Sequence, residues 1–478
     1  MPLSPAYRPS TRHSELGPAF YDEVEPARFP EHRIRYRNER WAERTGLGSL
    51  TSEEWISHFG RFEPLPGSFE TPLALRYHGH QFRVYNPDLG DGRGFLFAQL
   101  HDVEDGRLLD LGTKGSGKTP WSRGGDGRLT LKGGVREVLA TEMLEALGVE
   151  TSKSFSLIET GEALERNDEP SPTRSSVLVR LSHSHIRIGT FQRLLFLDDK
   201  DNLRRLLDYS IRTYLPGAWC DDEEARAVAF LEEVCRRVAR LGAQWMSAGF
   251  VHGVLNTDNI NITGESFDYG PWRFAPVYDA LFTAAYFDEF GLYSFGRQPD
   301  ALLWNLVRLA ECLLPMASQS ALEGALQVFE PSLHREFADA LLRRLGLASA
   351  GPERDGALAR AFWSFLMETK APYEQTFFDW YGGPASVERV RHSPSASLYE
   401  QPAFAAAKEA LDAFAPANGI RLHHAYFARP TPCTMLIDEV EAIWQPIAEA
   451  DDWSKFEAKL AAIREMADAY SRQTSEPA

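Results

Sequence analysis

His252-Gly253-Val254-Leu255-Asn256-Thr257-Asp258-Asn259, followed nine residues later by Asp268-Tyr269-Gly270, is the stretch on which the reading of this chain turns. Asn259 and Asp268 supply two hard oxygen ligands, which suits magnesium held jointly with phosphate oxygens. Asp258 directly precedes Asn259 and can serve as a base if its carboxylate reaches a nucleophile hydroxyl. The plainer role for Asp258 is to shape an Asn-Thr-Asp-Asn turn, where Asn and Asp are favoured anyway.

Laid against the kinase catalytic loop H-R-D-L-x-x-x-N and its following D-F-G, His252 takes the His place, Asn259 the metal-binding Asn place and Asp268 the metal-binding Asp place. The catalytic-base place is Val254, which cannot accept a proton. The pattern predicts a kinase-like nucleotide site that does something other than ordinary phosphorylation.

The flanking sequence agrees with that frame. Phe95, Leu96, Phe97 and Leu100 form an apolar run, Asp105-Gly106 is a hairpin signal, and Leu108, Leu109 and Leu111 lead to Lys114, predicting two antiparallel strands with Lys114 at the end of the second. Residues 135–147 carry apolar side chains at helical spacing, with Gly148 as a stop. Two strand-like segments follow, at 154–160 and 175–182. Beyond about residue 200 the chain turns helical, and residues 223–247 form a long amphipathic stripe ending at Gly249, just before the quoted loop. Helical patterns run from Leu302 onward, with breaks near 350 and over 382–402.

The expected fold is α+β: a bilobal protein-kinase-like fold with a β-rich N-lobe and a helical C-lobe, plus an N-terminal arm and extra C-terminal helices. The expected boundaries are 1–75 for an extended arm, 76–200 for the N-lobe with nucleotide-binding loops, 201–345 for the helical C-lobe and 346–478 for a C-terminal helical region.

ATP binding requires compensation of phosphate charge by metal, Arg or Lys side chains and backbone N–H groups freed by glycine. Residues 88–137 hold all three kinds of donor: Gly90, Gly92 and Arg93 in one loop, Lys114 at a strand end, Asp126 and Gly127 in a second loop, and Glu137 in the helix. Glycine-rich loops are ordinary turns too, but several flanking a strand-end Lys are harder to dismiss. The TKGSGKT run lacks the G-x-x-x-x-G-K-[ST] spacing and is not a P-loop. Glu137 is either the helix partner of Lys114 or a surface glutamate, and the order of motifs favours the pair. Arg180 and Arg187 can clamp phosphates bidentately or be solvated edge charges. His183 and His185 lie between them without a completing Cys or carboxylate nearby in sequence, so they read as structural or as supports behind the site residues.

A net charge of −17 and a pI of about 5.3 argue against general binding to nucleic acid or anionic membranes. Four cysteines, Cys220, Cys235, Cys312 and Cys433, show no metal-ligand spacing and are too few for a disulfide framework, so a reducing, cytoplasmic setting is expected. The N-terminal residues show no apolar signal core, and no apolar run approaches the length of a membrane span.

Several stretches, in order from about residue 77 to 312, together resemble the selenoprotein O (YdiU) family of pseudokinases that transfer AMP to proteins: YHGHQFRVYNPDLGDGRG, LGTKGSGKTPWSRGGDGR, VREVLATEMLEALGVETSKS, SHIRIGTFQ, GFVHGVLNTDNINITGESFDYGPW and QPDALLWNLVRLAE. The resemblance implies ATP contacts at Gly90, Gly92, Arg93, Lys114, Asp126, Gly127, Arg180 and Arg187. It makes Asp258 the proton acceptor and Asn259 and Asp268 the ligands of Mg2+, with Mn2+ possible, Asp268 also facing the nucleotide. It further implies ATP bound in reversed orientation, so that the α-phosphate is exposed and the lost base position is no longer where the nucleophile arrives. The chain departs from the family pattern in reading GDGRG and LKGGVRE, and its tail, SRQTSEPA, carries no thiol.

The expected function is therefore that of a protein adenylyltransferase, moving AMP from ATP to Ser, Thr or Tyr hydroxyls of proteins with release of pyrophosphate. Its partners are ATP and hydroxyl-bearing proteins, without nucleic acid or membrane. A catalytically silent nucleotide-binding pseudokinase is the alternative, and a phosphotransferase using Asp258 as base a weaker one.

Overall fold

The computed structural model describes residues 4–167 and 169–472. Strands β1 (Pro9–Ser10), β2 (Tyr21–Glu23), β3 (Arg33–Arg37), β4 (Leu73–Leu75), β5 (Gly79–Gln81), β6 (Val84–Asn86), β7 (Leu96–His101), β8 (Leu108–Lys114), β9 (Leu129–Thr130), β10 (Lys153–Leu164) and β11 (Thr173–Ser182) precede the helical half. Among the described residues all but β5 and β6 join one antiparallel sheet, ordered β2-β4-β7-β8-β11-β10-β3, with β1 on β7 and β9 on β11. β5 and β6 form a separate hairpin.

Strands β10 and β11 are buried over 153–160 and 175–182, polar residues included, because both sheet faces are covered. Successive side chains point to opposite faces. Leu157 and Leu178 pack in the core that includes α3 (Leu131–Ala146). Phe155, Ile158, Val177 and Val179 face the opposite side, against α1 (Glu39–Arg44) and α2 (Ser52–Phe59). Thr130 caps α3 by accepting from Gly133 N, so the helix starts four residues before the expected Val135.

The segment 1–75 was expected as an extended arm, but its described residues, 4–75, are woven into the fold. They supply four sheet strands and two helices whose buried aromatics form one face of the sheet. The sequence hides this because these strands are short and the helices span fewer than three turns, too little for periodicity to register. Trp55 is fully buried, stacks on Phe155 (centroids 5.0 Å apart) and donates from Nε1 to Ser156 Oγ at 2.8 Å. Trp55→Ala is expected to cost about 3–5 kcal/mol of stability. Urea unfolding of the variant checks this, and a loss under about 1 kcal/mol would mean that the N-terminal segment does not contribute to the core.

The helical half opens with α4 (Ile188–Phe196), α5 (Lys200–Tyr214) and α6 (Glu223–Ser247), the last spanning the residues expected for it. A small pair of strands, β12 (Phe250–Val251) and β13 (Arg273–Phe274), brackets the quoted loop, and α7 (Gln298–Leu313) packs beneath it. Further helices run to Tyr470, with the expected break near 350, while the break expected over 382–402 holds one short helix, Val387–Arg391, among 3-10 segments and turns. Residues 412–436, expected as helix, are turns with one short 3-10 segment, Ala425–Ala428, because Pro416, Gly419, Pro430 and Pro432 interrupt any longer helix. The helices Ile437–Ala450 and Ser454–Tyr470 return to pack on α3 in the same core as the helical half. No helix among the described residues is long and apolar enough to cross a membrane.

Candidate active site

β8 delivers Lys114 as its last residue, buried, and α3 presents Glu137 to it: Lys114 Nζ lies 2.5 Å from Glu137 Oε1 and 2.8 Å from Asp268 Oδ1. The predicted lysine–glutamate pair is thus formed. Arg180, on the neighbouring strand β11, donates to the same Asp268 oxygen at 3.3 Å. Arg187 Nη1 stands 4.0 Å from Asp268 Oδ2. Burial raises the carboxyl pKa of Asp268, but Lys114, Arg180 and Arg187 outweigh it and hold that pKa well below the usual range. Asp268 adopts φ +65°, a conformation few non-glycine residues hold without tertiary support.

Arg187 precedes the first residue of α4 and is almost fully buried between the rings of Tyr77 (4.3 Å) and Phe267 (4.9 Å). Its guanidinium donates to the Asp258 carbonyl at 2.8 Å and to Asp91 Oδ1 at 3.3 Å. Planar guanidinium stacking at such a site is not reproduced by lysine.

The quoted loop is held from both sides. His252 Nε2 donates to the Phe267 carbonyl at 2.9 Å, tying the loop to the segment carrying Asp268, and burial lowers the pKa of this ring. Asn259 donates from Nδ2 to the Val254 carbonyl at 3.0 Å, which leaves its side-chain oxygen as the end suited to a cation. Thr257 accepts from His80 N at 2.7 Å and donates to Gln192 Oε1 at 2.5 Å, and Asn256 Oδ1 accepts from Phe82 N at 3.0 Å.

Asp258 sits on a 3-10 turn, 8% exposed, and its Oδ1 finds no hydrogen-bond partner. Burial pushes this carboxyl up to about 6, against the opposing pull of Arg187. A side chain on Gly79 would stand 2.9 Å from Asp258 Oδ1, so glycine there leaves room for that buried oxygen. A buried carboxyl near neutrality, with an unpaired oxygen, is suited to taking up a proton.

The glycine loops hold one another. Thr119 Oγ1 donates to the Asp91 carbonyl at 2.6 Å, Ser122 Oγ to the Gly92 carbonyl at 2.5 Å, and Gly115 N to the Arg93 carbonyl at 2.6 Å. Gly90 lies under Trp121, and Gly127, at φ +70°, abuts the Gly117 carbonyl so closely that any Cβ would collide. The Arg93 side chain is exposed. Asp126 is not brought to the cation cluster, since its carboxylate pairs with Arg166 at 2.7 Å. His183 and His185 are structural as expected: His183 Nδ1 donates to the Leu108 carbonyl at 2.8 Å, and His185 N donates to buried Asp110 at 2.9 Å. Among the described residues no group of three or more His, Cys, Asp or Glu is arranged to hold a metal.

Sequence reasoning missed Asp91, Tyr77, His80, Gln192 and Asn256, which anchor Arg187 or the loop. Only their proximity to recognised motifs could have signalled them. The described cysteines are all free, and burial pushes the Cys433 thiol up to about 11. The expectation about a thiol-free tail concerns residues 471–478, of which 473–478 lie outside those described.

An antiparallel sheet with a strand-end lysine, a helix glutamate paired to it, and a cleft loop carrying Asn259 and Asp268 define a kinase-like fold without the usual base. The match to known proteins is narrower. The family model described as "Protein adenylyltransferase SelO" matches residues 4–464, and the chain belongs to that family. "Protein nucleotidyltransferase YdiU" of Gloeobacter violaceus is 46% identical over 464 residues, covering 94% of each chain. The protein of the same name from Synechocystis is 42% identical, covering 95% of this chain and 97% of its own. That of Vibrio cholerae is 37% identical over 82% of this chain and 79% of its own.

Proposed function

We propose that this chain transfers AMP from ATP to Ser, Thr or Tyr hydroxyls of proteins and releases pyrophosphate, with Asp258 as the proton acceptor. The observation that carries this reading is the buried Asp258 carboxyl, one oxygen unpaired, beside a cluster of cations that can hold phosphates.

The acceptor hydroxyl oxygen attacks the α-phosphorus and its proton passes to Asp258. The bond between the α-phosphorus and the bridging oxygen breaks, and the electron pair leaves with pyrophosphate. Lys114, Arg180 and Arg187 hold the phosphates, Lys114 and Arg180 exchanging part of their contact with Asp268 for phosphate oxygens. The interlocked loops carrying Gly90, Gly92, Arg93, Asp126 and Gly127 bound the nucleotide. Asn259 and Asp268 are the oxygen donors that would hold Mg2+, or Mn2+. Two protein ligands suffice, because magnesium usually completes its shell with waters and substrate phosphates. Bound there, such an ion neutralises charge that develops on the phosphates. The reading places the enzyme in the cytoplasm, with ATP and hydroxyl-bearing proteins as partners and, given its acidity, without nucleic acid.

Incubation with ATP labelled at the α- or the γ-phosphate tests the reaction. Label is expected in protein only from the α-position, with stoichiometric pyrophosphate. Entry of γ-label alone would establish phosphorylation instead, and neither label nor pyrophosphate would leave a silent nucleotide-binding module.

A further inference from the structure

We propose that the tip of the β5–β6 hairpin and the loop 279–290 together form the docking surface for the protein substrate, and that they select basic, apolar segments flanking the acceptor hydroxyl. The proposal rests on the adenylyl-transfer reading for its functional meaning. It names the chemistry of the partner.

The hairpin tip is costly as built. Gln81 pairs with Val84, so Phe82 and Arg83 are the two central residues of the turn, at φ 49° and 65°. Two-residue hairpins of this kind favour Asn-Gly, and bulky side chains there are strained. Strained backbone that persists points to a function for the side chains it presents. Phe82 is anchored to the catalytic loop through its N–H on Asn256, and its ring meets Phe287 (5.8 Å) and Tyr293 (5.1 Å). The Tyr293 hydroxyl donates to the same Asn256 oxygen at 2.8 Å. Hairpin tip and loop therefore flank the loop that carries Asp258.

The surface they present is apolar and uncovered. Tyr286 is 86% exposed and Phe290 89%, with Leu281 on the same loop at 70%. Single exposed hydrophobics need no explanation, but a group of aromatics beside a reaction cleft marks an interaction site. Its charge selects the occupant: residues 274–296 contain Asp279, Asp288 and Glu289 and no Lys or Arg. Asp288 is buried and spent on the N–H groups of Leu292 and Tyr293, whereas Asp279, which accepts from Leu281 N at 3.0 Å, and Glu289 are exposed. Arg297, the nearest following cation, donates to the loop's own carbonyls of Phe290 and Gly291. Arg83 lies over the Trp304 ring. The loop thus offers aromatic faces and exposed negative charge, complementary to a segment with leucine-like and arginine-like side chains.

Fluorescein-labelled synthetic peptides with a central serine, flanked either by leucine and arginine or by leucine and glutamate, serve as probes. Binding to the full chain is read by anisotropy, independently of AMP transfer. The basic peptide is expected to bind at least about tenfold tighter than the acidic one and to weaken with salt. Tyr286→Ser with Phe290→Ser is expected to lose about tenfold or more of that affinity, since anchoring aromatics carry much of the binding at such surfaces. Both positions are exposed, and an unchanged melting temperature shows the variant is folded. Equal binding of the two peptides, or unchanged affinity in the double variant, overturns the surface. So does sedimentation showing that a second copy occupies the patch in the wild-type protein and leaves it in the variant. Intact selective binding without α-label transfer would instead sink the adenylyl-transfer reading and leave the surface standing.

Discussion

Asp258→Asn is expected to lower AMP transfer by roughly 10²- to 10⁴-fold while leaving ATP affinity nearly unchanged. Asparagine keeps the size of the side chain and its turn preference, so the 3-10 turn from Thr257 to Asn259 survives. The backbone carbonyl that receives Arg187 is untouched, which keeps the guanidinium between Tyr77 and Phe267. What is lost is the carboxylate oxygen that has no partner within the protein. Rate against affinity, measured by α-label incorporation and by titration with ATP, separates the base from a turn former. A transfer rate equal to wild type would remove Asp258 from the chemistry.

Asp268→Ala is expected to abolish metal-dependent transfer, to at least about 10³-fold below wild type, and to weaken metal binding as well. The carboxylate is the shared partner of Lys114 and Arg180 and lies near Arg187. Its removal deletes an oxygen donor and leaves like charges facing one another at close range, which is destabilising in a buried setting. Titration of the protein with magnesium and with manganese, followed by transfer at saturating metal, checks both parts. Wild-type activity under limiting magnesium would contradict the assignment of Asp268 as a ligand. Recovery of full transfer at high metal would reduce Asp268 to a contributor to affinity alone.

Lys114 at a strand end, Glu137 on the following helix, and the loop from His252 to Asn259 were legible because each lies inside a local pattern of fixed spacing. Strands β8, β10 and β11 and helix α6 were legible for the same reason: long, regular apolar periodicity leaves little choice of element. The family resemblance implied only that Arg180 and Arg187 contact ATP, and their gathering around Asp268 was not foreseen. From spacing alone each arginine remained as plausible on a solvated edge. Asp126 was placed with the nucleotide by the same resemblance, yet its carboxylate pairs with Arg166.

The sequence by itself determined the order of elements, the absence of a proton acceptor at Val254 and the identity of the groups able to meet a phosphate or a cation, because residue chemistry and local periodicity are written in the chain. Only the tertiary structure decided the rest. It wove residues 4–75 into the sheet, since short strands gain stability only from partners distant in sequence. It set the raised pKa of Asp258, because the burial that lifts it, against the opposing pull of Arg187, is built by segments far apart in the chain. It also brought Phe82 and the loop 279–290 to either side of the catalytic loop, a juxtaposition of residues some 200 positions apart that no local pattern encodes.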